Sequence, residues 1–412
     1  MKAMGVTTGC FGEAEYSQRL EELLGESEGA ALSRERSAFD EAARGCERRI
    51  VIYGAGELGR RTLDGLRANG VEPLAFADRN RALWTRAIAS VPVFSPEEAA
   101  HRFGSDSVFV VAVWHPAPGG GIRSIAVRLE AIGCRRVVPF SCLFWKYPST
   151  FLPYHIFDLP SRLKRSRVAI RQAFGLFQRG RSQAEFVRQL EFRLTGDLHC
   201  LTPPDPGVQY FPDRLFRPRA DEYFVDCGAY DGDTLRGLEK WTGGCFRGAA
   251  ALEADPANFA ALQSYVAGSP KLNGRVLVIQ AAAGSRRDRV RFAAGELASA
   301  HVAEAGQIEV DMVALDEVPL PYKPTYIKMD IEGSEMDALL GAANLMRQHK
   351  PLAAICSYRR LEDLWQIPLR IREYMPEARL FLRLYNVDGW DLVCYAVPPD
   401  RTVDFSRETV GS

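Results

Sequence analysis

The chain has 412 residues, with 52 Lys plus Arg balanced by 52 Asp plus Glu, so its formal net charge at neutral pH is zero. Hydrophobic residues make up 47% and charged residues 25%, a globular balance that excludes a wholly disordered, collagen-like or coiled-coil chain. At about 100–200 residues per domain, this length predicts two or three domains. A zero balance lacks the basic excess of a nucleic-acid binder, and the local basic run from Arg162 to Arg167 reads as a solvated helix face. The nine cysteines are scattered, with no C-x-x-C pair. They predict neither a disulfide framework nor a zinc site, and they point to a reducing cytoplasm. No window approaches the ~18 apolar residues of a membrane span, and no basic segment leads into an apolar one at the start. Neither a secretory leader nor a membrane span is expected.

Residues 1–45 are polar, with Leu20, Leu23 and Leu24 at helical spacing. That spacing predicts a helix packed onto a domain. From residue 46 a strand–helix alternation begins. Ile50–Tyr53 reads as a buried strand, residues 54–59 as a glycine turn, and the stretch to Leu66 as a helix. Pro73–Ala77 reads as a second strand, ending at Asp78. Val93 lies in a short extended piece, and Ser95-Pro96-Glu97-Glu98 opens a helix, with Pro at the first helical position and acids in the first turn. Val108–Val113 and Arg136–Pro139 are further strands around a helix from Ile122 to Ile132. Such alternation implies a parallel sheet with right-handed crossovers, here over residues 46–145.

Residues 146–220 read as a helical linker that covers one end of the next domain, with one or two helices between Ser161 and Leu194 and a turn-rich loop from Thr202 to Gly207. A second α/β domain then occupies residues 221–412. Its strands are Tyr223–Asp226, Gly248–Leu252, Val276–Ile279, Thr325–Asp330 and Leu352–Cys356. Leu380–Arg383 and Asp391–Ala396 follow at hairpin distance and should pair antiparallel.

Two glycine loops carry the chemistry. In the second domain, Asp226-Cys227-Gly228-Ala229-Tyr230-Asp231-Gly232 joins a strand to a helix at the carboxyl end of the sheet, where open α/β sheets bind ligands. The following helix N-terminus presents unpaired N–H groups to an anionic group, and Asp226 can meet a ligand ammonium. A tight structural turn is the alternative reading. Glu253 ends the next strand roughly 20 residues on, where an acid accepts hydrogen bonds from ribose hydroxyls. Together these features describe a nucleoside-containing cofactor. Lys328-Met329-Asp330-Ile331-Glu332-Gly333-Ser334-Glu335 then places three carboxylates within six residues at a strand end. Glu332 and Glu335 suit either an acidic helix N-terminus or a site. Asp330 fits the structural reading less well.

Phe224–Ala229, Glu253 and Ile327–Glu335 resemble the FkbM family of S-adenosylmethionine-dependent methyltransferases, over about residues 222–397. The resemblance implies a class I methyltransferase fold and methyl transfer, usually to a hydroxyl oxygen of a sugar, a nucleotide-linked sugar or a natural product. By motif position it gives Asp226, Gly228 and Glu253 to S-adenosylmethionine, and the glycine-loop reading adds Gly232 to the cofactor site. Methyl transfer needs alignment of the acceptor and a base for its proton. Asp330 is the candidate base, with Lys328 as its alternative partner. The acid run also permits a divalent cation, although no histidine is near and none is expected.

In the first domain, Gly54-Ala55-Gly56-Glu57-Leu58-Gly59 matches G-x-G-x-x-G after a strand, with Asp78 closing the next strand roughly 20 residues on, the context of a dinucleotide fingerprint. The domain resembles NAD-binding-type Rossmann modules that precede some sugar-modifying domains. No dehydrogenase catalytic set follows it. Trp114-His115-Pro116 and the Pro118–Gly121 loop lie near the same crevice. The expectation is therefore an α/β chain with two Rossmann-like domains, the second a methyltransferase acting on a small-molecule acceptor. The alternative is an NAD-dependent oxidoreductase or nucleotide-sensing protein working through Gly54, Gly56, Gly59 and Asp78.

Overall fold

The computed structural model describes residues 13–114, 120–293, 301–302 and 308–403. His115 and Pro116–Gly119 lie outside the described residues. The chain opens with helices Glu13–Gly25 and Glu28–Ala43. Ser27 caps the second by accepting the Ala30 N–H, which satisfies one of the unpaired first-turn donors. Leu20, Leu23 and Leu24 are buried as their spacing predicts. The second helix has no matching expectation from sequence.

The first sheet contains β1 (Ile50–Tyr53), β2 (Ala75–Ala77), β3 (Ala87–Ile88), β4 (Val91–Phe94), β5 (Val108–Val111) and β6 (Val137–Pro139). Their order is β3-β4-β2-β1-β5-β6. All pairings are parallel except β3 with β4. β1 and β5 are buried at every position, as strands covered on both faces must be. Helix Pro96–Phe103 starts at Ser95, which accepts the Glu98 N–H, with Pro96 in the first turn.

Between Ser161 and Leu194 the chain forms parts of three helices rather than one or two: Pro160–Arg165, Arg167–Leu176 and Arg181–Thr195. Gly180, at φ 76°, opens the last of them. The expected linker is a packed layer. Phe174, Phe186, Leu190 and Phe192 belong to one hydrophobic core that also contains β1, β5 and the strands of the second sheet.

The second sheet contains β7 (Tyr223–Cys227), β8 (Gly248–Glu253), β9 (Val276–Gln280), β14 (Tyr326–Met329), β15 (Leu352–Cys356), β16 (Arg379–Leu384) and β17 (Leu392–Val397). Between β9 and β14 a smaller sheet is built from β10 (Ala282–Ala283), β11 (Asp288–Ala293), β12 (His301–Val302) and β13 (Ile308–Val313). The seven-strand order is β16-β17-β15-β14-β7-β8-β9. The expected terminal hairpin forms, and β17 inserts antiparallel between β15 and β16. The smaller sheet has the order β10-β13-β11-β12 and has no counterpart in the sequence expectation. Phe292, Val310 and Ala282 give it a small core of its own with Ala254.

Candidate functional site

β7, β8 and β14 end side by side because they are parallel neighbours in register. After β7 the chain turns at Gly228, whose φ is 85°. A Cβ there would stand 2.0 Å from the Asp330 carbonyl oxygen, so the loop after β7 can approach the end of β14 only with glycine. Gly232 also adopts a positive φ, 91°, just before helix Asp233–Thr242.

Lys328 pairs in register with Asp226 across β14 and β7, which puts both side chains on one face. The Lys328 Nζ lies 3.0 Å from Asp226 Oδ1 and donates to the Gly228 carbonyl at 2.6 Å. Burial opposes the Lys328 charge, but Asp226, Asp330 and Asp233 outweigh it and hold the ammonium protonated. Burial pushes the Asp226 carboxyl up to about 7, against the pull of Lys328. Asp226 is 0% exposed. It sits behind Lys328, which ion-pairs with it while the Lys328 charge also acts on Asp330, the partner expected from sequence.

Asp330 follows β14. Its Oδ2 accepts from the Tyr210 hydroxyl at 2.7 Å and its Oδ1 from the Tyr358 hydroxyl at 2.9 Å. Burial works to raise this carboxyl, but Lys328, the two tyrosines and Arg359 hold it below its usual range. Glu332, at φ 58°, ion-pairs with Arg359. Glu335 opens helix Glu335–Leu340 and accepts the N–H groups of Ile331 at 3.0 Å and Gly333 at 2.9 Å. The acidic run thus divides its work: Glu335 ties the loop, Glu332 meets Arg359, and Asp330 anchors two tyrosines.

Glu253 ends β8 and is 7% exposed. Its carboxylate accepts the Tyr230 N–H and the Asp255 N–H, each at 2.8 Å. Burial raises the Glu253 carboxyl and the two backbone donors oppose that rise. Asp255 then caps helix Pro256–Gly268 through the Ala257 and Asn258 N–H groups.

Gly228, Glu253, Lys328, Asp330 and Glu332 line a cavity of about 280 Å³. In sheet order it runs from Glu253 and Ala254 past Gly228 to Lys328 and Asp330, with Tyr210 and Asp391 also in the lining. Ala282, Ala283 and Phe292 from the smaller sheet line it too. Asp226 and Gly232 are not in the lining. Sequence reading missed Tyr210, Tyr358, Arg359 and Asp391, because no local motif carries them. Among the described residues, no three His, Cys, Asp or Glu side chains are grouped to hold a metal ion.

The first glycine loop has a different arrangement. A Cβ on Gly59 would lie 1.9 Å from the Gly54 carbonyl oxygen, whereas one on Gly56 would meet nothing within 4 Å. Asp78 accepts the Ala55 N–H on Oδ2 and the Asn80 N–H on Oδ1, both at 2.7 Å. Trp114 turns away from this loop into the core. Its ring lies 4.5 Å from that of Trp390, and its Nε1 donates to the Asp388 carbonyl at 3.1 Å.

Residues 226–386 match the family model described as the Methyltransferase FkbM domain. Over nearly its whole length the chain is similar to the crystal structure of Methyltransferase FkbM from Methylobacillus flagellatus KT. The identity is 25%, the TM-score is 0.72, and the match covers 90% of this chain and 99% of that one. The likeness therefore includes the N-terminal α/β unit and the helical layer. Two partial matches have TM-scores too low to bear on this chain. One is UDP-D-quinovosamine 4-dehydrogenase from Vibrio fischeri, with 23% identity, 22% and 76% coverage, and a TM-score of 0.19. The other is M. jannaschii TYW2 in complex with AdoMet, with 14% identity, 44% and 68% coverage, and a TM-score of 0.26. No curated protein matches the sequence.

Proposed function

We propose that the chain is an S-adenosylmethionine-dependent methyltransferase that acts on a hydroxyl oxygen of a small molecule, such as a sugar, a nucleotide-linked sugar or a natural product. The observation that carries this reading is the single cavity that joins Glu253 and the Gly228 loop to Asp330. Its lining suits the cofactor chemically. Glu253 would accept from the ribose hydroxyls, Ala254, Ala282 and Phe292 offer an apolar wall for the adenine, and Asp233 and Thr234 offer polar groups beside Gly228. When bound, the cofactor supplies an activated methyl group on sulfur. What remains for the protein is to align the acceptor, exclude water and take up a proton.

Asp330 has a tyrosine hydroxyl on each oxygen. That favours a fixed anion that orders Tyr210 and Tyr358 over the proton uptake expected from sequence. Lys328, backed by Asp226, fixes the Gly228 carbonyl and so the shape of the cofactor loop. For the N-terminal unit we propose a scaffold role without hydride chemistry, since Trp114, which follows β5, packs against Trp390 and donates to the Asp388 carbonyl of the second unit.

Calorimetric titration with S-adenosylhomocysteine and, separately, NAD tests the reading. The product analogue should bind and NAD should not. Glu253→Gln should weaken S-adenosylhomocysteine about 10- to 100-fold, the effect of losing hydrogen bonds to a charged group at about 1.5–3 kcal/mol. Binding of NAD alone would favour the oxidoreductase reading.

A further inference from the structure

One carboxylate on the cavity wall lies outside the sequence motifs: Asp391, at the end of the loop joining β16 to β17. That loop makes a tight, left-handed path: φ is 57° at Asp388, 83° at Gly389 and 56° at Asp391. The conformation is held from the N-terminal unit. The Ile122 N–H donates to Asp388 Oδ2 at 2.8 Å, Trp114 donates to the Asp388 carbonyl, and Trp114 packs on Trp390. Gly121 leaves room for this contact, since a Cβ there would come within 2.2 Å of Asp388 Oδ2. Two α/β units thus fix the position of one carboxylate on the cavity wall.

Asp391 differs from Asp330 in how its oxygens are used. Asn386 Nδ2 donates to Asp391 Oδ2 at 3.1 Å, while each Asp330 oxygen holds a tyrosine hydroxyl. The charged and titratable groups facing Asp391 are Asp330, Arg359 and the Tyr358 hydroxyl. Burial, aided by the neighbouring Asp330 charge, pushes the Asp391 carboxyl up to about 6, with Asn386 and Arg359 opposing. Proton uptake is most effective when a base titrates near the working pH.

We propose that Asp391 is the proton acceptor for the methyl-accepting hydroxyl, with Asp330 as the fixed anion beside it. This rests on the methyl-transfer reading above. The acceptor O–H bond breaks and its proton goes to an Asp391 carboxylate oxygen. The acceptor oxygen forms the new O–CH3 bond as the donor's C–S electron pair returns to sulfur. Products are the methyl ether, the neutral thioether and a protonated Asp391, which returns its proton to solvent.

The test uses the full chain saturated with S-adenosylhomocysteine and pulsed with a water-soluble carbodiimide and glycinamide, which couple to protonated carboxyls. Mass spectrometry then maps the label from pH 5 to 8. Asp391 should take roughly tenfold more label than Asp330 for each unit separating their titrations. Its labelling should fall with a midpoint near 6. Asp330→Asn, by removing a neighbouring negative charge, should shift that midpoint down. Asp391→Asn should keep S-adenosylhomocysteine affinity within about twofold and leave Asp330 unlabelled. Faster labelling of Asp330, or no pH dependence at Asp391, overturns the proposal. Failure of the wild-type chain to bind S-adenosylhomocysteine sinks the methyl-transfer reading instead, a separate result of the same preparation.

Discussion

Lys328 and Asp226 form a buried ion pair, 3.0 Å apart and closed to solvent. Removing one member of such a pair leaves a charge buried alone, at a cost of about 3–5 kcal/mol. Lys328→Met should therefore lower the unfolding free energy by that amount in urea titrations, and adding Asp226→Asn should recover part of it. Additive losses in the double variant would contradict the pairing. The motif residues were legible in sequence, but this pairing was not. Spacing put Lys328 near Asp330, where its charge does act, but the ion pair with Asp226 is set by strand register. Tyr210 and Tyr358 were invisible for a related reason. Each reaches Asp330 from a different segment, and no local pattern records a contact made only when the sheet closes.

At the scale of elements, the loop after β14 is tied by Glu335, whose carboxyl is pushed up to about 8 by burial and by Asp363. Asp363, buried and serving the Arg360 N–H, is pushed up to about 7 by its own burial. A carboxyl raised in the folded state favours folding while it is protonated. Its contribution is full below the unfolded value near 4.5 and declines as pH rises to the folded value near 8. Denaturant midpoints should fall between about pH 5 and pH 8, and Glu335→Gln should make that slope shallower. An unchanged slope would remove Glu335 as a source. The alternation of strand and helix revealed both main sheets because parallel strands are continuous apolar runs. The small sheet escaped notice although Arg289-Val290-Arg291-Phe292 alternates charged and apolar residues at strand period. Its exposed face is charged, so it reads as loop unless the period of two is sought.

Across the whole molecule, the N-terminal unit, the helical layer and the second sheet share one hydrophobic core. Trp114, 5% exposed, joins Phe157 and Trp390 across the two units. Calorimetric unfolding should show one transition, and Trp114→Ala should cost about 3–5 kcal/mol, the range for deleting a buried Trp. Two resolved transitions in the wild-type chain would contradict a common core. The domain alternation along the sequence suggested separate modules joined by a linker. The apolar residues that weld them are spread through helices whose periodicity names a buried face without naming its partner. The central claim is that the cavity at the carboxyl ends of β7, β8 and β14 takes the methyl donor. A crystal structure of the full chain with S-adenosylhomocysteine tests it most directly. Ribose hydroxyls should sit on Glu253, with the sulfur directed toward Asp330 and Asp391; a ligand seated instead at Gly54–Gly59 would place the cofactor site in the wrong unit.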